Sequence, residues 1–475
     1  MNEDRGSMYN ESELLEMVQR YENMLKDNRY IFFDVHEFEY IISYYADRDK
    51  YGKAIQAADI ASHQHPQSIE LKFKKAEILI DKGDFEHALL LLQKIERINS
   101  GDTEIYFLKG RVYMEMGKTS DALKNFDMAV ESAFDETGAI LYDIADILQQ
   151  LNHYKHAIRY LKKGHTLEPK RSLFVYELAY CHERIDQYDA SIHYYKKYLN
   201  LEPFNENVWY NLGTVYGKNG NLEKAIEAYE FALAIEPEFS PALYNKGNTY
   251  VNLGNYMKAI EAYREFLKVE EDENPEVLCY IGECFEKLKR YKTATGYYQR
   301  AIQSDPEYSD AHFGLGIVLQ YQGETEKCFI HIHRAIELDD ENPEFWFGLG
   351  NVYKKTEQLD LALEAYKKAT QFDPYDYESW LSISDIYLAR NEIEQAVSIL
   401  NESYHYNFDV GSLNYRLAAL HFITKKDNLG FKFFEKGLML DFSSHDEIFK
   451  YYPKAEKLKK VKYLINHYKS LNNFL

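Results

Sequence analysis

The sequence has few cysteines, and their spacing matches neither a disulfide scaffold nor a typical zinc site. Four occur among 475 residues, Cys181, Cys279, Cys284 and Cys328, and no two of them form a CxxC pair. Sparse thiols of this kind indicate small packing groups in a reducing compartment. We therefore expect buried, unbridged cysteines and a cytoplasmic protein.

Proline, glycine and long apolar runs are also scarce. The 10 prolines and 23 glycines are too few for a turn-rich or disordered chain, while a hydrophobic content of 45% is ample for a core. The amino terminus is polar and acidic, without the apolar stretch of a secretory signal, and no stretch is long and apolar enough for a membrane span. We expect a folded, mostly helical protein.

Positive charge is in deficit, and recognisable catalytic motifs are missing. The chain carries 56 basic against 77 acidic residues, a formal charge of -21, which would repel a nucleic-acid backbone. It contains no GxxxxGK[ST], GxSxG or HExxH motif. Cys328, His331 and His333 hint at a metal site, but at helical spacing His333 points away from the other two. We expect no nucleic acid, no cofactor, no metal and no enzymatic activity.

The sequence does contain a long internal repeat. Within residues 206–239, apolar residues recur at three- and four-residue steps in two halves that Gly220 and Asn221 separate, which predicts a helix-turn-helix hairpin. The pattern recurs with a period of 34, interrupted only at Thr137 and Asn274. The blocks are 35–68, 69–102, 103–136, 138–171, 172–205, 206–239, 240–273, 275–308, 309–342, 343–376, 377–410 and 411–444.

Small residues recur at fixed places in these blocks, numbered from the first residue of each. Position 8 carries alanine or glycine in most blocks, as at Gly213 and Gly350, and position 20 carries alanine in most, as at Ala225. Bulky residues, often aromatic, stand at positions 11 and 24. This arrangement predicts closely packed helix pairs with large side chains filling the space around the small ones.

These residues, together with closing prolines such as Pro203 and Pro237, resemble the tetratricopeptide repeat family. The overall character and the lead-in Tyr30 to Asp34 resemble bacterial proteins consisting only of such repeats. The resemblance implies an all-α fold, a right-handed α-solenoid of about twelve repeats over residues 35–444, with a helical cap at each end. Residues 1–34 would hold a tail and a capping helix, Ser12 to Asp27. Residues 445–475 would hold a second capping helix, Lys454 to Leu471.

The resemblance also implies that first helices line a groove, with positions 2, 5, 9, 12 and 13 facing it. Aromatic residues at position 5 would offer contact area to an extended peptide or a partner helix, although they could instead pack against a neighbouring repeat. Asparagines and basic residues would bind the backbone or carboxylates of the peptide, although a cation also stabilises a helix end. The expected groove residues are Phe107, Tyr142, Tyr176, Tyr210, Tyr244, Phe313, Phe347, Asn211, Asn245, Asn248, Asn351, Arg184, Lys218 and Lys287.

Acidic residues at position 2, such as Asp310 and Glu344, are better explained by the favourable first turn of a helix than by binding. The subtype of the family that grips chaperone tails requires lysine at position 5 beside asparagine at position 9, and Tyr244 and Phe347 stand there instead. We expect a protein-interaction scaffold, with residues 138–273 as the favoured binding segment. The alternatives are a self-assembling structural protein, with possible homo-oligomers, and a non-catalytic regulatory subunit of an enzyme complex.

Overall fold

The computed structural model describes residues 11–472, and in that range it contains helices and no strand. Residues 1–10 of the expected amino-terminal tail and residues 473–475 lie outside the described part. The chain divides into two compact units, Met1–Pro237 and Glu238–Leu475. None of the described helices combines the length and apolar character needed to cross a bilayer.

In its described residues, 11–237, the first unit holds thirteen α-helices and one 3-10 helix, Phe134–Glu136. The α-helices are α1 Glu11–Asp27, α2 Val35–Ala46, α3 Tyr51–Gln64, α4 Glu70–Asp81, α5 Phe85–Glu96, α6 Thr103–Glu115, α7 Thr119–Ser132, α8 Thr137–Gln150, α9 Tyr154–Leu167, α10 Ser172–Arg184, α11 Tyr188–Leu201, α12 Glu206–Lys218 and α13 Leu222–Ile235. From α2 onward they pair as helical hairpins, each packed against the next.

The second unit continues the same hairpin pattern and ends in shorter elements. Its α-helices are α14 Ser240–Asn252, α15 Tyr256–Val269, α16 Pro275–Lys287, α17 Tyr291–Ser304, α18 Ser309–Gln322, α19 Thr325–Leu338, α20 Pro343–Lys355, α21 Leu359–Phe372, α22 Tyr377–Ala389, α23 Ile393–Ser403, α24 Gly411–Ile423, α25 Asp427–Leu440, α26 Glu447–Tyr451 and α27 Lys459–Asn472. Two 3-10 helices, Phe442–Ser444 and Pro453–Lys457, join the last of these.

Glycines at position 8 let the two helices of a hairpin approach closely. A methyl group on Gly213 would lie 2.6 Å from the ring of Tyr229, and one on Gly350 would lie 2.5 Å from the ring of Tyr366. Both tyrosines stand at position 24 of the same repeat and are buried. The aromatic ring therefore occupies the volume that a larger residue at position 8 would need, which accounts for the pairing of small and large residues in the repeat.

The two residues that interrupt the repeat period lie at the start of a first helix. Thr137 begins α8 directly after the 3-10 helix Phe134–Glu136. Asn274 is the N-cap of α16, and its Oδ1 accepts a hydrogen bond from the backbone nitrogen of Val277 at 3.1 Å. An extra residue in a connection leaves the helix faces in register, so the repeat pattern resumes unchanged after each.

The amino-terminal helix α1 covers the first hairpin. Its residues Val18, Tyr21 and Met24 lie in one buried cluster with Phe38 and Ile41 of α2. An amphipathic helix in this place supplies the apolar cover that a terminal hairpin lacks on its open side.

The carboxy-terminal cap differs from the single helix expected over 454–471. Pro453–Lys457 forms a 3-10 helix, and α27 begins only at Lys459. Between them Leu458 is extended, with φ -74 and ψ 119, so α-helical geometry does not continue through it. Val461, on the predicted apolar stripe, is nevertheless fully buried.

Candidate functional site

Three first helices of the second unit, α16, α18 and α20, line one shared cavity of about 630 Å³. We call it the first-helix cavity. Its wall consists mainly of residues at positions 2, 5, 6, 9, 12 and 13 of three successive repeats: Glu283, Glu286, Lys287, Asp310, Phe313, Gly314, Ile317, Gln320, Tyr321, Glu344, Phe347, Gly348, Asn351 and Lys355, with Tyr298 from α17. Lys287, Phe313, Phe347 and Asn351 belong to the predicted groove set.

The floor of the first-helix cavity is formed by aromatic rings lying against glycine backbone. A methyl group on Gly314 would lie 2.4 Å from the ring of Tyr298, and one on Gly348 would lie 2.5 Å from the ring of Phe313. Because position 6 has no side chain in these two repeats, the rings of Tyr298 and Phe313 pack directly against the helix backbone. Phe313 and Phe347 are half-buried, so part of each ring contacts the cavity.

Four carboxylates stand around this floor. Burial, together with the smaller effects of the neighbouring carboxylates of Glu344, Glu286 and Asp310, raises the pKa of Glu283 to about 7. Burial likewise raises the pKa of Glu286, Asp310 and Glu344. These side chains contact solvent in the cavity, yet the surrounding helices replace much of their hydration, which disfavours the charged form.

Two lysines also line the cavity. Asp310 and Glu344 belong to the first turns of α18 and α20, whereas Lys287 and Lys355 belong to the last turns of α16 and α20. The Lys355 ammonium lies 5.8 Å from the ring centroid of Tyr321. Lys287 directly follows Glu286 and also acts on Glu283 and Glu344, so acidic and basic groups are interspersed along the cavity, with the acids in excess.

The remaining predicted groove residues of the second unit lie on α14. The Tyr244 hydroxyl donates to Glu276 Oε1 at 2.9 Å, and Asn248 Oδ1 accepts from the Tyr263 hydroxyl at 2.6 Å. Asn245 is half-buried. Asn248 and Lys287 line a smaller cavity of about 280 Å³, so α14 and α16 share a second hollow beside the first.

The predicted aromatic residues of the first unit are half-buried and pack within the protein. The ring centroids of Phe107, Tyr176 and Tyr210 lie about 6 Å from the position-24 rings of their own repeats. Tyr142 instead lies 6.5 Å from Phe174 of the next repeat. These contacts agree with the packing interpretation of position 5, and they leave part of each ring exposed.

The polar groove residues of the first unit are already engaged with their neighbours. Asn211 Nδ2 donates to the Tyr176 hydroxyl at 3.3 Å. Lys218 forms an ion pair with Glu183 at 2.8 Å. Arg184 Nε donates to the hydroxyl of Tyr154 at 3.3 Å, and its guanidinium lies 5.6 Å from that ring. Arg184 and Lys218 are exposed, so both could exchange these contacts for a ligand.

The cysteines and histidines weighed as metal ligands have other contacts. All four cysteines are buried and free, as expected, and burial raises the pKa of the Cys328 thiol to about 11. His331 Nδ1 lies 3.1 Å from His312 Nδ1, and His333 Nε2 lies 3.4 Å from the Tyr353 hydroxyl. Over residues 11–472, no three histidine, cysteine, aspartate or glutamate side chains are placed to share a metal ion.

Comparison of the sequence with models of known protein families identifies the family of these helical hairpins. Sequence models described as tetratricopeptide repeat match residues 41–103, 103–136, 139–171, 174–205, 206–239, 244–309 and 343–376. Together these ranges cover more than half of the 475 residues. The chain belongs to the tetratricopeptide repeat family. The resemblance inferred from the repeat spacing is thereby confirmed.

Individual relatives within the tetratricopeptide repeat family are distant. Anaphase-promoting complex subunit 3 of Schizosaccharomyces pombe is 34% identical over 79 residues, which cover 17% of this chain and only 12% of that protein. Yeast Tom70 is 13% identical, with 92% of this chain and 96% of that chain covered and a TM-score of 0.46. YrrB, described as a tetratricopeptide repeat protein with an unusual peptide-binding site, is 24% identical over 39% of this chain and 94% of its own, with a TM-score of 0.32.

The most informative residues of the first-helix cavity were absent from the predicted groove set. Glu283 and Glu286 stand at positions 9 and 12, and both face the position-2 acids that we had attributed to helix termini. Position 6 also lines the cavity, although the expected set of groove positions omitted it. Glycine at position 6 in two successive repeats, Gly314 and Gly348, was the available sequence signal. The cavity lies beyond residues 138–273, the segment favoured from the sequence.

Proposed function

We propose that this chain is a protein-interaction scaffold that binds an extended peptide or a helix of a partner protein along its first helices. The observation that carries the proposal is the first-helix cavity, which the first helices of three successive repeats line together. Because the cavity is shared by separate repeats, its natural ligand is a segment that runs across several of them. A tetratricopeptide array offers such a surface without any further domain.

The side chains of the cavity suit a peptide ligand. Phe313 and Phe347 supply rigid apolar area at low entropic cost, since their rings are already held by packing. Asn351 is exposed, and its Oδ1 accepts from the Tyr366 hydroxyl at 2.8 Å. The amide nitrogen of Asn351 is therefore the end that can donate to a peptide carbonyl.

This role requires neither a cofactor nor a catalytic residue. We predict that the chain has no intrinsic enzymatic activity and that it acts in the cytoplasm. The family membership supports the first prediction, because the matched repeats account for most of the chain. The low cysteine content supports the second.

Site-specific photo-crosslinking tests the proposal from an exposed position of the cavity wall. A photoreactive amino acid is placed at Asn351, on the exposed wall of the cavity, and in a control at Glu326, exposed on the second helix α19. Both proteins are irradiated in lysate of the source organism, and the products are identified by mass spectrometry. We expect the probe at Asn351 to crosslink to a partner protein and the probe at Glu326 to give no such crosslink.

Two other results would contradict the proposal in different ways. Crosslinks to the same proteins from both positions would place binding outside the cavity. A crosslink from Asn351 to a second copy of this chain would favour the self-assembling structural protein. A crosslink confined to one enzyme would retain the scaffold and identify its partner, in agreement with a regulatory subunit.

A further inference from the structure

The proposed function leaves the chemistry of the ligand open, and the following inference rests on it. We infer that the first-helix cavity receives a lysine or arginine side chain from a basic, extended segment of the partner protein. The inference depends on the charge, shape and apolar floor of this one cavity in the second unit.

The balance of charge in the cavity favours a cation. Four carboxylates and two ammonium groups line it. The lysines lie in the last turns of α16 and α20, and one of them, Lys355, lies over the ring of Tyr321. The carboxylates outnumber the ammonium groups, so a cationic group that enters the cavity meets an excess of negative charge.

The carboxylates also repel one another in the absence of a ligand. Glu283 shares the cavity with Asp310 and Glu344, whose carboxylates raise its pKa beyond the effect of burial, and Asp310 likewise raises the pKa of Glu344. Lys287 offsets only part of this repulsion. A cation placed between the three helices would remove the repulsion and compensate the carboxylates for hydration that the protein has displaced.

The floor of the cavity matches the remainder of a basic side chain. Lysine and arginine have apolar stems, which can lie along Phe313 and Phe347 while the charged head reaches the carboxylates. A guanidinium could also stack on an aromatic face and bind a carboxylate through two nitrogens. The position-6 glycines keep this floor low, whereas Tyr280 and Ser382 occupy the same position in the flanking repeats.

An inorganic cation fits the arrangement less well. The acids come from three different helices, and in the described part of the chain no three acidic, histidine or cysteine side chains converge on a possible metal position. A ligand with an extended body and a diffuse or mobile charge can satisfy carboxylates that are spread along a wall. The formal charge of -21 would further accelerate the encounter with a basic segment.

Fluorescence anisotropy with designed peptides tests the inference on the full chain. The probes are labelled peptides of equal length in which glycine alternates with lysine and arginine, with glutamate, or with serine. We expect the full chain to bind the lysine–arginine probe, and the Glu283→Gln, Glu344→Gln double variant to bind it at least about tenfold more weakly. Glu326→Gln removes one exposed acid from α19 and should leave the affinity unchanged.

The double variant is a fair test, because it removes mutually repelling carboxylates and is expected to fold at least as well as the wild type. Circular dichroism and a thermal melt verify this. Equal binding of the lysine–arginine probe by wild type and double variant would overturn the inference, as would the absence of binding or a preference for the glutamate probe. If the chain preferred the glutamate probe and the Asn351 photo-crosslink to a protein still formed, the proposed peptide groove would stand and only the basic ligand would be refuted.

Discussion

The hydroxyl of Tyr366 donates a hydrogen bond of 2.8 Å to Oδ1 of Asn351. Tyr263 and Asn248 repeat this relationship at 2.6 Å. In each case a buried tyrosine at position 24 of the repeat, on its second helix, binds an asparagine at position 9, on its first helix. The packing core of a hairpin thus fixes the orientation of a side chain at the groove, which prepares it to bind without further ordering.

Removing the Tyr366 hydroxyl should weaken the second unit. Tyr366→Phe keeps the ring against Gly350 but deprives Asn351 of its donor, and a hydrogen bond of this kind contributes about 1 kcal/mol. We expect a lower urea midpoint of unfolding than in the wild type. Tyr375→Phe, at a side chain that is 69% exposed, is the control and should have little effect. An unchanged midpoint in Tyr366→Phe would show that the bond has no net effect on stability.

Two glycine substitutions should change stability in opposite directions. Gly350→Ala places a methyl group 2.5 Å from the Tyr366 ring, and such overpacking costs about 1–3 kcal/mol. Gly296 lies in the helix α17 with no atom within 4 Å of the added carbon, so Gly296→Ala should stabilise by about 0.5–1 kcal/mol. Thermal melts of the two variants, recorded together, test the assignment of position 8. Equal melting temperatures would refute the close helix approach.

The fold could be predicted from the sequence because the repeat supplies the same signal many times. A single glycine such as Gly213 says little, but small residues at positions 8 and 20 recur in most repeats, and each is required by a facing ring such as Tyr229. The carboxy-terminal cap occurs once and has no such redundancy. Its extended residue Leu458 was therefore not foreseen.

The cavity was harder to predict than the fold. It depends on the lack of a side chain at position 6 and on residues that come from neighbouring repeats. Phe313 and Phe347 followed from the repeat register. Glu283 is significant only because Asp310 and Glu344, one and two repeats further on, face it across the cavity. Sequence periodicity identifies which positions share one face of a helix. The distance between side chains of successive repeats is set by helix packing, which the periodicity does not give.

The raised pKa of Glu283 should appear in the pH dependence of stability. The folded chain holds this proton up to about pH 7, whereas the unfolded chain releases it near its ordinary value of 4.5. The resulting stabilisation is present below that ordinary value and is lost as the pH rises through about 7. Relative to the wild type, Glu283→Gln should therefore gain stability as the pH is raised.

The comparison between variant and wild type is necessary because other groups titrate in the same range. Burial lowers the pKa of His312 and His331, and each then favours the folded state as the pH rises. Urea midpoints at about pH 5 and about pH 8 measure the difference between the two proteins. Glu326→Gln should run parallel to the wild type, and a Glu283→Gln curve that also does so would contradict the assignment.

Binding of the lysine–arginine peptide should strengthen as the pH rises from about 6 to about 8, since a bound cation favours the ionised form of Glu283. The carboxylate and ammonium groups that act on Glu283 are Glu286 and Lys287 on its own helix, Asp310 on α18 and Glu344 on α20, while Cys279, Tyr263, Tyr298 and Tyr308 also interact with it. Among the acids, Glu283 has the pKa raised to about 7, and the lysine and arginine side chains of the peptide remain charged throughout.

Salt supplies a second, independent criterion for the same peptide. Its affinity should fall as the ionic strength is raised, because screening weakens the attraction between the peptide and the acidic wall. Binding of the serine peptide, if any is measured, should depend on neither pH nor salt. In the Glu283→Gln variant the pH dependence should flatten, while the salt dependence persists through Asp310 and Glu344. An affinity that falls with rising pH in the wild type would contradict the binding of a cationic side chain by these carboxylates.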